Sequence, residues 1–345
     1  MIRIAVIPGD GIGVEVTREA TETLRAAAGS ALAFEEFPYG ADHFLRTGET
    51  LPQAGFDRLR TFDAILLGAV GDPRVPDNRH AADILLGLRF RLDLYVNHRP
   101  VRLLDERLCP LKGRKAEDVD FVIFRENTEG LYAGVGGFFK KGMPDEVATQ
   151  EDINTRKGVE RILRHALEWA RAHGKQRVLM SDKSNALTYG HDLWQRVWRE
   201  LAAEYKDLET SHMYVDALAM QLVKDPSNFE VIVACNMFGD ILSDLGAQIQ
   251  GGLGLAASAN LHPGRIGLFE PVHGSAPKFA GQNIANPIGA ILSAAMLLDT
   301  AGRTDEARAI ENAVAGAVRD GKTTKDLGGK LSTTQMGDEI RRRLK

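Results

Sequence analysis

Cysteine is scarce in this 345-residue chain: only Cys109 and Cys235 occur, with no C-x-x-C pair. That argues against a disulfide scaffold and a cysteine-based zinc site, and a reduced, cytoplasmic setting is expected. Long apolar runs are missing too. No stretch approaches the ~18 residues of a membrane span, and Ile2 to Ile7 leads straight into Pro8-Gly9-Asp10, too short and too uncharged at its start for a signal peptide. Charge of one sign is not in excess, since 43 Lys plus Arg face 47 Asp plus Glu for a net charge of −4. A global grip on nucleic acid or an anionic membrane is therefore not expected, and any anion must be bound locally. G-x-S-x-G is absent and the histidines are scattered, which argues against a Ser-His-Asp hydrolase.

What remains is ordinary globular material, 44% hydrophobic and 26% charged, with 35 Gly and 13 Pro to make turns. The length suits one large or two coupled domains. Short apolar runs at Ile2 to Ile7, Ala64 to Leu67, Phe121 to Phe124, Val178 to Met180 and Val231 to Ala234 read as buried strands. Between them lie helical patterns. The clearest places Val159, Ile162, Leu163, Ala166, Leu167 and Ala170 on one face and stops at Gly174. This alternation predicts an α/β fold with partly parallel sheets. Two stretches break it. Gly134 to Thr149, with its Phe138-Phe139 pair, reads as an exposed hairpin or arm that needs a partner. Gly251 to Pro287 reads as a long functional loop running into the apolar helix Ile288 to Leu298.

Several segments carry chemistry. Gly9-Asp10-Gly11-Ile12-Gly13 follows a strand, but its G-x-G-x-G spacing is not the G-x-G-x-x-G of a Rossmann loop; read alone it is a tight strand-to-helix turn. Asp240 and Asp244 stand four apart on a predicted helix, where like charges repel unless a cation intervenes. A hard divalent ion would relieve that repulsion, and Asp216, set among apolar neighbours, could complete the site. A solvated acidic face is the alternative. Arg89, Arg99 and Arg125 at element ends could hold a di-acid, since arginine suits bidentate carboxylate recognition, although each alone could be an ordinary surface arginine. Lys183 after the strand ending at Met180, and Tyr132, are proton-carrying candidates, or else structural residues. Glu270 to Pro277 (EPVHGSAP) offers turn chemistry and backbone amides suited to a phosphate or adenine; His273 alone is an ordinary structural histidine.

Together these segments resemble the isocitrate and isopropylmalate dehydrogenase family, the metal-dependent β-decarboxylating dehydrogenases. The resemblance covers nearly the whole chain and rests on IPGDGIG (7–13), LDLYVNHRP (92–100), FRENTEGLY (124–132), SDKSN (181–185), YVDALAMQLV (214–223), NMFGDILSDL (236–245), FEPVHGSAPKFAG (269–281) and IANP (284–287). It implies two interlaced α/β domains, not a Rossmann fold: residues 1–98 and 252–345 as a larger cofactor domain, and 99–251 as a smaller inserted domain with dimer helices and a clasp arm at about 134–150. It also implies that Arg89, Arg99 and Arg125 bind substrate carboxylates, and that Asp240 and Asp244 hold Mg2+ or Mn2+ with Asp216 from a second subunit. Lys183, also from the partner, and Tyr132 would move protons. Ile12, Asn185, His273, Gly274, Ser275, Ala276, Lys278, Phe279 and Asn286 would bind the dinucleotide. The implied assembly is a homodimer with shared active sites.

The substrate loop selects within the family. Isocitrate enzymes place Ser and Asn where this chain has Asp83 and Leu85, and a carboxylate beside Asp83 would be repelled. Leu85 and Leu86 instead suit the isopropyl group of 3-isopropylmalate, the expected substrate. D-malate or tartrate is the alternative, because the same leucine pair, VRLL (101–104) and SANLHP (258–263) resemble those enzymes and Ala82 stands where isopropylmalate enzymes have Glu. NAD is the expected cofactor. Lys278, where NAD-using members carry Asp, leaves NADP open, and Lys325 is expected nearby. A non-catalytic regulatory subunit would have lost a metal carboxylate, the lysine or an arginine; this chain keeps them all.

Overall fold

The strand Ile2–Gly9 sends its side chains into two apolar environments, with Ile4 and Val6 in one buried cluster and Ala5 and Ile7 in another. Cover on both faces is why it reads as a continuous apolar run rather than an alternating one. The computed structural model describes residues 1–344. Its strands are β1 (Ile2–Gly9), β2 (Leu32–Glu36), β3 (Ala64–Ala69), β4 (Val96–Arg102), β5 (Asp120–Glu126), β6 (Gly136–Phe139), β7 (Val147–Gln150), β8 (Arg177–Asp182), β9 (Glu209–Tyr214), β10 (Val231–Ala234), β11 (Ala257–Leu261) and β12 (Gly267–Pro271). The chain divides into two units, one of Met1–Leu94, Arg99–Val119 and the residues from Ala247 onward, the other of Tyr95–His98 and Asp120–Gly246. Arg99–Val119, expected in the inserted part, clusters with the first unit.

In the first unit the strand order is β2-β1-β3-β12-β11. All neighbours are parallel except β11 and β12, which pair antiparallel from Ala257 opposite Pro271 to Asn260 opposite Leu268. The helices Gly13–Ala28, Ile288–Thr300, Thr304–Arg319 and Thr333–Arg343 pack on one side of this sheet, through Val16, Ile291, Ile310 and Ile340. Gln53–Leu59 and Gly87–Arg91 pack on the other, through Phe56 and Leu88. The β11–β12 hairpin corrects the expectation of one long loop over 251–287. Its first strand opens with Ala257, Ser258, Ala259 and Asn260, small and polar residues that give no strand signal, yet all four are buried.

The second unit holds the all-parallel order β5-β10-β8-β9. The helix Arg156–Ala172 buries the predicted face of Val159, Ile162, Leu163, Ala166, Leu167 and Ala170. Thr155 caps it by accepting from the Gly158 N–H, and Gly174 follows in the left-handed region at φ 66°. The arm is a two-stranded antiparallel hairpin, β6–β7, in which every residue is exposed.

Candidate active site

In the first unit, β1 ends in the Gly9–Gly13 turn. The Ile12 N–H donates to the Ser275 carbonyl at 2.8 Å, and a Cβ on Gly11 would lie 2.0 Å from that oxygen, so only glycine fits there. Asp10, buried, accepts from the Ala41 and Gly71 amides and lies 2.9 Å from His80 Nε2. Ser275 is buried and donates to the Gly71 carbonyl. Beyond it Ala276 sits at φ 38°, a left-handed geometry that a residue with a Cβ rarely adopts and that often marks a binding loop. Gly274, Lys278 and Phe279 are exposed; the Lys278 ammonium lies 4.8 Å from the Phe279 ring centroid. Burial holds the His273 imidazole below its ordinary pKa, and its Nε2 has no hydrogen-bond partner among the described residues. Asn286 donates to Asp326 and accepts from the Ile288 amide, at the start of an apolar helix. This surface loop with an open polar face, tied to a strand-to-helix turn, fits a dinucleotide.

Arg89 follows a wide π-helical turn, Ala82–Leu86, which carries Asp83, Leu85 and Leu86. Its guanidinium is buried and donates to Glu270 at 2.8 Å, and Glu270 in turn accepts from Asn260 at 2.9 Å. The β11–β12 hairpin brings both partners to Arg89, a pairing that the small and polar residues of β11 do not signal in the sequence. Leu85 and Leu86 are half-buried, Leu85 against the core. Asp83 is exposed and accepts from the Thr50 hydroxyl at 2.7 Å. Arg99 is buried on β4.

In the second unit, Arg125 is the last residue but one of β5 and is almost wholly buried. Its Nε donates to Asn236 at 2.9 Å, its Nη1 to Asp240, and its guanidinium lies 4.9 Å from the Tyr132 ring centroid. Tyr132 donates to the other oxygen of Asp240 at 2.7 Å. Gly239 makes this possible: a Cβ there would lie 2.6 Å from Arg125 Cβ. The helix Asn236–Ile249 therefore rests directly on the arginine stem. Asp240 is half-buried and Asp244, one turn on, is exposed, so two hard oxygen donors of the kind a divalent ion prefers share one helix. Ile241, next to Asp240 on that helix, is exposed. Glu126 turns the other way; burial pushes it up to about 7 against hydrogen bonds from Thr128 and Glu129.

Lys183 follows β8 directly and donates to Asp216 at 2.6 Å. The ammonium holds the Asp216 carboxyl below its ordinary range. Asp216 was expected amid apolar neighbours but is exposed. Its sequence neighbours Val215 and Ala217 do not enclose it, because the first turn of the helix Val215–Lys224 turns it outward. Asn185 is exposed in the turn after Lys183. Arg125, Tyr132, Asn236 and Asp240 thus form one cluster, and Lys183 with Asp216 another. Among the described residues no three His, Cys, Asp or Glu come together as a metal-holding group. The sequence signals Asn236 only as an Asn opening the NMFGD helix.

The family model for isocitrate/isopropylmalate dehydrogenase matches residues 3–340. A 3-isopropylmalate dehydrogenase of Thermobifida fusca (strain YX) is 48% identical over 99% of this chain and 98% of its own. A 3-isopropylmalate dehydrogenase of Frankia casuarinae is 46% identical over 98% of each. Among solved structures, isocitrate dehydrogenase from Methylococcus capsulatus superposes with a TM-score of 0.92 at 38% identity, covering 100% of this chain and 99% of that one. With the strand-turn-helix at Gly9–Gly13, the buried arginines and the Asp240 helix in place, the chain belongs to the isocitrate/isopropylmalate dehydrogenase family.

Proposed function

We propose that the chain oxidises 3-isopropylmalate with NAD and Mg2+ or Mn2+ and releases CO2 to give 4-methyl-2-oxopentanoate. The observation that carries this reading is the Arg89 turn: a buried guanidinium held by Glu270, with half-buried Leu85 and Leu86 before it and the Asp83 carboxylate beside them. That surface favours a branched apolar group and disfavours a third carboxylate. The names of the relatives support the same substrate.

In this reading Arg89, Arg99 and Arg125 bind the two carboxylates, and Asp240, Asp244 and a second copy's Asp216 hold the ion. When bound, the dinucleotide would supply a hydride acceptor, and the ion a Lewis acid toward the substrate oxygens. Lys183, from the same second copy as Asp216, takes the proton of the substrate hydroxyl as the C–H bond breaks. The bond to the β-carboxylate then breaks, its electron pair moves into an enolate, and Tyr132 returns a proton to carbon. Arg125 lies against the Tyr132 ring and shares Asp240 with its hydroxyl, which keeps the phenol oriented.

A homodimer is part of the proposal. Met220 and Val223 on the helix Val215–Lys224, Ile241 on Asn236–Ile249, and Phe138 and Phe139 on the hairpin are all exposed apolar side chains that a second copy would cover. Lys278, exposed beside the dinucleotide loop, is the feature that would admit the 2′-phosphate of NADP. The test is metal-dependent nicotinamide reduction by the purified protein with a panel of 2-hydroxy di-acids. Turnover of 3-isopropylmalate that stops on chelation is expected; no turnover with any member overturns the reading.

A further inference from the structure

The main chain of Lys183 is pinned from both ends. Its carbonyl accepts from the amides of Ala186 and Leu187 at 2.9 and 2.8 Å, and its N–H donates to His191 Nδ1 at 3.1 Å. His191 is 1% exposed. Because Nδ1 accepts, that nitrogen carries no proton in this arrangement. Burial favours the neutral ring by lowering the His191 pKa, while the carboxylates of Asp152 and Asp182 oppose the shift. The other nitrogen, Nε2, has no hydrogen-bond partner among the described residues and lies 3.7 Å from Asp152 Oδ2. The ring also packs on Trp194 and, at 5.4 Å between centroids, on Phe238 of the helix that carries Asp240 and Asp244. One side chain therefore touches the lysine's backbone and the carboxylate-bearing helix.

Behind the same turn sits a fully buried carboxylate. Asp182 accepts from the Ser184 amide and hydroxyl, both at 3.1 Å, and from Gln195 at 2.7 Å, and lies 2.9 Å from His212 Nε2. The 182–184 turn is thus held by two acceptors, Asp182 from within and His191 from across the loop. The Lys183 ammonium projects from it to Asp216.

We propose that His191 is a positioning residue for Lys183: its unprotonated Nδ1 fixes the Lys183 N–H and so aims the ammonium. The inference rests on the reading of Lys183 as the proton-transfer group. Two substitutions separate positioning from packing. His191→Asn keeps an acceptor oxygen near the Nδ1 position and loses the ring; His191→Phe keeps the ring and loses the acceptor. With 3-isopropylmalate, NAD and Mn2+, His191→Phe should lower kcat by about tenfold or more with KM little changed, as small misplacements of reacting groups do. His191→Asn should keep kcat within about threefold of the parent, even if its Tm drops from the lost ring contacts.

Hydrogen exchange at the Lys183 amide supplies a readout apart from turnover: slow in the parent and in His191→Asn, fast in His191→Phe. His191→Phe with parental kcat, or His191→Asn as impaired as His191→Phe, overturns the proposal. If His191→Phe does not fold, His191→Gln replaces it, since its side-chain amide mimics Nε2 rather than Nδ1, and activity equal to that of His191→Asn overturns the proposal. Lys183→Ala, assayed alongside, tests the underlying reading separately: parental turnover in that variant removes the proton-transfer role whatever the His191 variants do.

Discussion

Single side chains here act through partners far away in sequence. Arg89 is the clearest case, because its guanidinium is buried and aimed by Glu270, 181 positions on. Arginine's planar fork can hold Glu270 and a substrate carboxylate together, which a lysine's point charge does less well. Arg89→Lys should lower kcat/KM for 3-isopropylmalate by about tenfold or more, mainly through KM. Arg89→Ala should in addition cost stability, about 3–5 kcal/mol by urea unfolding, because Glu270 would stay buried without its cation. A stable Arg89→Ala protein would show that Asn260 alone satisfies that carboxylate.

Among the elements, the helix Asn236–Ile249 depends on Gly239 for its approach to β5. Gly239→Ala would place a Cβ 2.6 Å from Arg125 Cβ, so helix or arginine must shift. The expected cost is about 1–3 kcal/mol of stability by chemical unfolding, together with loss of the Arg125, Tyr132 and Asp240 geometry and of turnover. Retained activity would show that the helix can yield without disturbing the cluster.

Acid sensitivity belongs to the contact of β4 with the helix Arg156–Ala172, where His98 packs on Trp169. Burial, with the charges of His165 and His173, holds His98 down to about 3, and burial holds His165 down to about 4. Both ionise near 6.5 in the unfolded chain, so between 6.5 and 4 the unfolded state takes up protons that the folded state refuses, and stability falls with pH. Glu126 has the opposite sign, since its folded pKa of about 7 makes acidification from 7 to 4.5 favourable. The difference between proteins isolates the histidine. The Tm of His165→Leu should rise relative to the parent as pH drops from 6.5 to 4.5, and a constant difference would contradict the assignment. His165 Nε2 has no hydrogen-bond partner among the described residues, so leucine at that position leaves no new buried group unpaired.

For the whole molecule, the sequence made the buried strands and the amphipathic helix legible, because apolar runs and a 3.6-residue period record burial directly. The Asp240/Asp244 pair was legible as helical spacing, and Lys183 by its place directly after a strand. The β11–β12 hairpin was not, since Ala, Ser and Asn carry no strand pattern, and with it went Glu270 and Asn260 as partners of Arg89. The exposure of Asp216 and Ile241 was also hidden, because one chain's pattern does not say whether a face meets solvent, the core or a second copy. If the hairpin β6–β7 clasps that copy, Phe138→Ser combined with Phe139→Ser should shift sedimentation from dimer toward monomer. Turnover should fall with it, because Lys183 and Asp216 are proposed to serve the partner's site. A dimer of undiminished stability would leave the aromatic pair without that role.

The central claim is the substrate, and the ratio of kcat/KM for 3-isopropylmalate to that for D-malate, both with NAD and Mn2+, tests it most directly. A methyl-branched group seated on Leu85 and Leu86 should favour 3-isopropylmalate by about tenfold or more. A ratio below one would contradict the account and make this chain a D-malate enzyme.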